Sequence, residues 1–229
     1  MVRAARLGLC LLGAALTGCA GRTAAVPSAG TIVDPQTAVE ELIAEDRAFA
    51  RAAAATDLIS GLTRMFAADV IMSAPGRHAM GVKAADSVLR TNAENATSRV
   101  EWQPVRGGVS SDGRHGFTQG YMTTLRANGA TVPGKYLAYW IKGANGWRVA
   151  VYKRVPRAAG NVSLAMLPPV LPQRGLPVGD ATKIQQYAAG LRLAEVSFSN
   201  DATPLGLGPA FRKWGAPDAT NAGVGAEWS

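Results

Sequence analysis

Three turn signals constrain this chain more than any other feature: Ser111-Asp112-Gly113, Asn128-Gly129 and Asn145-Gly146. Each supplies residues that tolerate the left-handed backbone of a tight hairpin. Between them apolar and polar residues alternate with a period of two, which predicts strands over 100–110, 115–126, 131–142 and 147–155. A meander of this kind must bury one face, so the residues before it have to supply a cover.

That cover reads as helix. Asp34-Pro35 offers an N-cap and a first-turn proline, and Val39, Leu42, Ile43, Phe49, Ala50 and Ala53 recur on one face of a helix running to about residue 55. Asp46 falls in the middle of that face. A second helix is predicted over 57–67 with Leu58, Leu62, Met65 and Phe66 inward, then a short strand over 69–73 closed by Pro75-Gly76. A weaker third helix, 81–96, turns Val82, Ala85 and Leu89 inward. Helices followed by an antiparallel meander define an α+β domain over 34–156.

Gly120-Tyr121, Gly134-Lys135-Tyr136-Leu137, Tyr139-Trp140 and Gly146-Trp147-Arg148-Val149 resemble the C-terminal half of SnoaL-like and DUF4440-type domains of the NTF2-like superfamily. Phe66-Ala67-Ala68-Asp69-Val70 followed by Gly81 is similar to that family's helix, strand and loop. The resemblance covers about residues 35–156 and implies a cone in which a curved antiparallel sheet wraps the first helix around a pocket. Its motifs mark a fold and fix no reaction. The acid and tyrosine constellation of ketosteroid isomerases cannot be placed on this chain residue by residue.

Arg3 and Arg6 precede an apolar run over 7–16 that ends in Leu16-Thr17-Gly18-Cys19, the order of a secretory signal. The last four residues resemble the lipobox of bacterial lipoproteins, which implies removal of 1–18, lipidation of Cys19 and a membrane attachment through it. The alternative is an ordinary cleaved signal with an unmodified Cys19. Ala20, where an Asp would retain the protein at the inner membrane, points to the outer membrane of the cell envelope, facing the periplasm. Residues 19–33 read as a tether. Cys10 would leave with the leader, so two cysteines and two histidines in the whole chain supply no disulfide framework and no metal site. No cofactor is implied. The net charge of +8 includes Arg3 and Arg6, and no Lys/Arg run gives the footprint of a nucleic-acid binder. Cations do gather after residue 100: Arg106, Arg114, Arg126, Lys135, Lys142, Arg148, Lys153, Arg154 and Arg157 stand against Glu101 and Asp112. They read as a solvated basic sheet face or as an attraction for an anionic ligand or lipid headgroup.

Residues 157–182 are rich in Pro and Gly and read as a linker. Shifting the chain so that Leu42 falls on Leu191 also superposes Asp46 on Glu195, Phe49 on Phe198, Leu58 on Leu207 and Asp69 on Asp218 without a gap. Residues 183–229 thus form a candidate incomplete second repeat; a truncated reading frame, a vestigial unit packed on the first domain and chance all remain open.

A two-residue turn at Asn128-Gly129 would set Tyr121 opposite Tyr136, Gln119 opposite Ala138, Phe117 opposite Trp140 and His115 opposite Lys142. A four-residue turn at 143–146 would place Trp140 opposite Val149 and Ala138 opposite Val151. The aromatic side is then concave and Gly116, Thr118, Gly120, Arg148 and Arg154 lie outside; a one-residue slip would invert this. Asp46 is the candidate catalytic acid or base, its pKa raised by the pocket. Its alternative is a structural carboxylate at the stripe's edge or paired with a sheet cation. Tyr121, Gln119, Tyr136, Trp140 and His115 are the candidate ligand-binding residues, and His78 is a second candidate acid/base group in a loop. Three functions stay open: a binding module for a small apolar or weakly anionic molecule, a homodimerising interaction domain, and an isomerase-, cyclase- or dehydratase-type enzyme using Asp46.

Overall fold

The computed structural model describes residues 32–175, 181–223 and 225–228; the leader, Cys19 and the tether as far as Thr31 lie outside the described residues. Helix α1 (Pro35–Ala53) is capped by the Asp34 carboxylate, which accepts from the Thr37 N–H at 2.8 Å. Asp57 caps α2 (Leu58–Thr63) in the same way. This helix is shorter than its periodicity predicts. Phe66 already opens strand β1 (Phe66–Ala74), because the Met65 carbonyl and Phe66 pair with Val149, so the sheet overrides the helical spacing. Gly76, at φ 70°, turns β1 back into β2 (Arg77–Met80), which puts His78 on an exposed edge strand rather than in a loop. Helix α3 (Val82–Arg90) stops before the predicted end, and a 3-10 turn (Ala93–Ala96) replaces its last residues where the Asn92 side chain accepts from the Glu94 N–H.

The meander follows as β3 (Arg99–Val109), β4 (His115–Leu125), β5 (Thr131–Gly143) and β6 (Gly146–Pro156). Six strands form one curved sheet in the order β2-β1-β6-β5-β4-β3, with α1 packed on β3 and β4. The fold is α+β with the helices held in a curved sheet, as the resemblance implies. One pair departs from the antiparallel expectation: β1 and β6 run parallel.

The register of β4 on β5 differs from the expected one by a residue. Gly129 adopts φ 83° and donates to the Arg126 carbonyl, while Arg126 pairs with Ala130, so the loop has three residues. Gly120 therefore opposes Tyr136, Thr118 opposes Ala138, Gly116 opposes Trp140 and His115 opposes Ile141. Every β4 side chain changes face relative to the prediction. A bulge between Tyr139 and Trp140 does the same to the end of β6: Trp140 does oppose Val149, but Ala138 opposes Tyr152 and Tyr136 opposes Arg154.

The concave face thus carries Gly116, Thr118, Gly120, Tyr136, Trp140 and Arg154. Its glycines set how close the helix lies: a Cβ on Gly116 would stand 2.5 Å from Leu42 Cδ2. With α1 drawn in, Leu42, Tyr136, Trp140 and Trp147 fill the cone as packed core.

Residues after β6 wrap this domain. In the stretch expected to be a linker, Leu167 and Val170 donate to the carbonyls of Val105 and Gly107, and Val109 donates back to Val170, which covers the free edge of β3. Helices α4 (Ala181–Leu205) and α5 (Leu207–Trp214) pair with each other. The first residue of α5, Leu207, is the residue that the internal shift superposes on Leu58, the first of α2. Beyond Trp214 the described residues form no strand, and 218–223 and 225–228 lie over the outer face of the sheet.

Candidate functional site

Asp46 lies on the sheet-facing side of α1 and is completely buried. Trp102 Nε1 on β3 donates to Oδ1 at 2.6 Å, and the Tyr136 hydroxyl on β5 donates to Oδ2 at 2.8 Å. Beside them the Thr118 hydroxyl, which accepts from Trp140 Nε1 at 2.8 Å, also favours the carboxylate. Burial outweighs these bonds: desolvation raises the Asp46 pKa above the ordinary carboxylate value. The Tyr136 hydroxyl is pushed well up in turn, by burial first and then by the charge of Asp46.

A raised carboxyl pKa suits acid–base chemistry, yet this group has no exposed surface with which to touch a substrate. Both oxygens are spent on core side chains. Asp46 therefore works as a tie that fixes α1 to two strands. It meets neither the stripe's edge nor a sheet cation, and Trp102 is the partner that sequence reasoning missed.

The five residues expected to bind a ligand divide between two faces. Tyr136 and Trp140 are on the concave side with Asp46 but are buried core. Gln119 and Tyr121 face outward, covered by the C-terminal segment, because the three-residue loop reversed β4. For the same reason His115 lies on the outer face, where its Nδ1 is 3.1 Å from the Tyr139 hydroxyl. Among the described residues no group of three or more His, Cys, Asp or Glu could hold a metal ion, and no helix is long and apolar enough to cross a membrane.

Toward the β4–β5 hairpin, beyond Tyr136, the concave face opens into a cleft of about 270 Å³. Met122, Gly134, Asn95, Ser98, Arg126 and Arg154 are among the residues that line it. Arg126 is engaged with Glu94 at 3.2 Å, and Asn95 Nδ2 donates to the Leu89 carbonyl at 2.6 Å. Arg154 is half-buried and has no ion-pair or hydrogen-bond partner among the described residues. None of the predicted site residues lines this cleft. The signal that finds it is a cation at an inward strand position opposite Tyr136, visible once the β6 bulge is known.

Comparison with known proteins gave no matching family model and no matching curated protein. Solved structures similar to this chain include a domain of unknown function with a cystatin-like fold from Nostoc punctiforme, 14% identical over 51% of this chain and 77% of that one, with a TM-score of 0.43. An NTF2-like protein with a cystatin-like fold from Novosphingobium aromaticivorans is 16% identical over 50% of this chain and 79% of its own, with a TM-score of 0.40. A ketosteroid isomerase-like protein from Erwinia carotovora atroseptica is 24% identical over 54% of this chain and 96% of its own, with a TM-score of 0.36.

Proposed function

We propose that the domain is a binding module for a small organic acid, held in the cleft at the open end of the concave face. The supporting observation is Arg154, a half-buried guanidinium that lines the cleft and has no partner among the described residues. A carboxylate matches a guanidinium in shape and charge, and Met122, also lining the cleft, gives the rest of the ligand apolar surface. The cleft is slightly smaller than the usual range of about 300–1,000 Å³ for small-molecule sites, which fits a single-ring acid. Catalysis through Asp46 has no support from the geometry, since Asp46 is completely buried and does not line the cleft.

Benzoate is a suitable probe in calorimetric titration. Binding is expected for the unaltered chain, and Arg154→Gln should weaken it by about 10- to 100-fold, the range of a charge-assisted hydrogen bond. Asp46→Asn should leave the affinity nearly unchanged. Equal affinity in the Arg154→Gln variant contradicts the reading.

We further infer that this module is tethered in a bacterial cell envelope through lipid on Cys19, on the strength of the run from Arg3 to Cys19. Expressed with its leader in a bacterium, the chain should sediment with membranes and carry an acyl mass. Cys19→Ser should abolish both, and a membrane-bound, acylated Cys19→Ser chain contradicts the anchor.

A further inference from the structure

The outer face of the sheet carries a cluster of cations beneath the C-terminal segment. Arg106 on β3 pairs with Asp218 at 2.6 Å, and Lys135 on β5 is fully buried, donating to the carbonyls of Gly223 and Glu227. Arg157, just past β6, sits over the Tyr121 ring at 5.5 Å. The Thr220 hydroxyl donates to Gln119 Oε1 at 3.1 Å, and the Trp228 N–H to the Tyr121 hydroxyl at 3.4 Å. Side chains of the sheet and of the segment thus join the two at five points, and the segment bends so that the Gly223 and Glu227 carbonyls both meet Lys135.

The fit is incomplete in two respects. Three cations converge on this strip, while the one acidic side chain of the segment paired with them is Asp218; Glu227 offers Lys135 its backbone carbonyl. Among the described residues, Arg106 Nε, Gln119 Nε2, Arg157 Nε and Trp228 Nε1 are buried without a hydrogen-bond partner, four of the five such side-chain atoms. Native interiors leave few groups in that state; Arg106, Gln119 and Arg157 lie under the segment, and Trp228 belongs to it. Burial first, and then the charge of Arg157, lower the Lys135 pKa, against which the Glu227 carboxylate works.

We propose that this strip is a docking site for an acidic segment of a partner protein, and that residues 218–223 and 225–228 occupy it as an internal substitute that the partner displaces. Charge complementarity selects the partner: a chain with carboxylates spaced to meet Arg106 and Lys135 or Arg157 together satisfies donors that the internal segment leaves unpaired. Displacement needs little rearrangement of the domain, because α4 and α5 contact each other far more than they contact the sheet.

The test uses the full chain and a fluorescent peptide of the sequence 216–229, which carries Asp218 and Glu227. Asp218→Ala weakens the internal segment and should raise the affinity for the added peptide at least tenfold over the unaltered chain. A peptide with Asn and Gln at the two acidic positions should bind at least tenfold more weakly, and Lys135→Met should abolish binding while the chain stays folded by circular dichroism. Equal binding of the acidic and neutral peptides, or none to the Asp218→Ala chain, overturns the proposal. So does a concentration-dependent dimer that the peptide fails to dissociate, which would assign the strip, with the exposed Leu137, Tyr139, Ile141 and Val151 on the same face, to a second copy.

Discussion

Asp46→Ala is expected to lower the unfolding free energy by about 4 kcal/mol, because it strands two buried donors, Trp102 Nε1 and the Tyr136 hydroxyl, each at about 1–3 kcal/mol. Asp46→Asn should lose less than half as much. An amide oxygen still accepts from Trp102, and the Tyr136 hydroxyl can rotate to accept from the amide nitrogen. The same pair of variants separates a structural tie from an ordinary core contact through pH. With the folded pKa of Asp46 raised above 3.8, the native state keeps a proton that the unfolded chain has released. Its contribution is therefore full below the unfolded value, declines as pH rises toward the folded one, and is flat above it. Urea denaturation from pH 4 upward should show the unaltered chain losing stability relative to Asp46→Asn. Parallel curves for the two proteins would mean that the carboxyl is not desolvated as described.

Gly120→Ala is expected to cost about 3 kcal/mol or to prevent folding. A Cβ there would stand 2.1 Å from the Gln103 carbonyl oxygen and 2.8 Å from Pro104 Cα, both backbone atoms of β3 at its bulge, and 2.8 Å from Tyr136 Cε1. No rotamer change relieves a clash with main chain, so β3 would have to move away from β4 and carry Trp102 off Asp46. Gly143→Ala is the control, since nothing lies within 4 Å of its Cβ position. Chemical denaturation of the two variants should separate them by most of that difference. Equal midpoints would show that the β3–β4 contact is not as close as the structure places it.

Strand existence was legible because turn residues bracket each run, and the four meander strands lie within two residues of their predicted ends. Face was harder to read. A period of two gives which residues share a side but not which side is buried, and the outcome turned on one residue of loop at Asn128-Gly129. Large aromatics suggested that Phe117 and Tyr121 point inward, whereas the helix needs the small side of β4. Gly116, Thr118 and Gly120 were the readable sign, three small residues in alternate positions beneath a helix. On the inner face Asp46 and Tyr136 could be brought together from sequence because one is the sole charge on an apolar helix stripe and the other lies on the long strand facing it. Trp102 could not be paired with Asp46, since the β3 bulge between Pro104 and Arg106 sets its position relative to α1. Arg154 was lost to the bulge in the β5–β6 pairing, and no local signal showed that 218–223 and 225–228 return to the sheet. Their contacts span about half the chain.

The organic-acid reading rests on where a ligand sits, so the most direct measurement follows the side chains of the cleft. With arginine Nε–Hε groups and methionine methyls labelled for NMR, benzoate should shift the Arg154 and Met122 signals along one saturable curve. Arg106 and Arg157, on the opposite face, should stay in place. Saturable shifts centred on the outer-face arginines, or none at Arg154, would contradict the account.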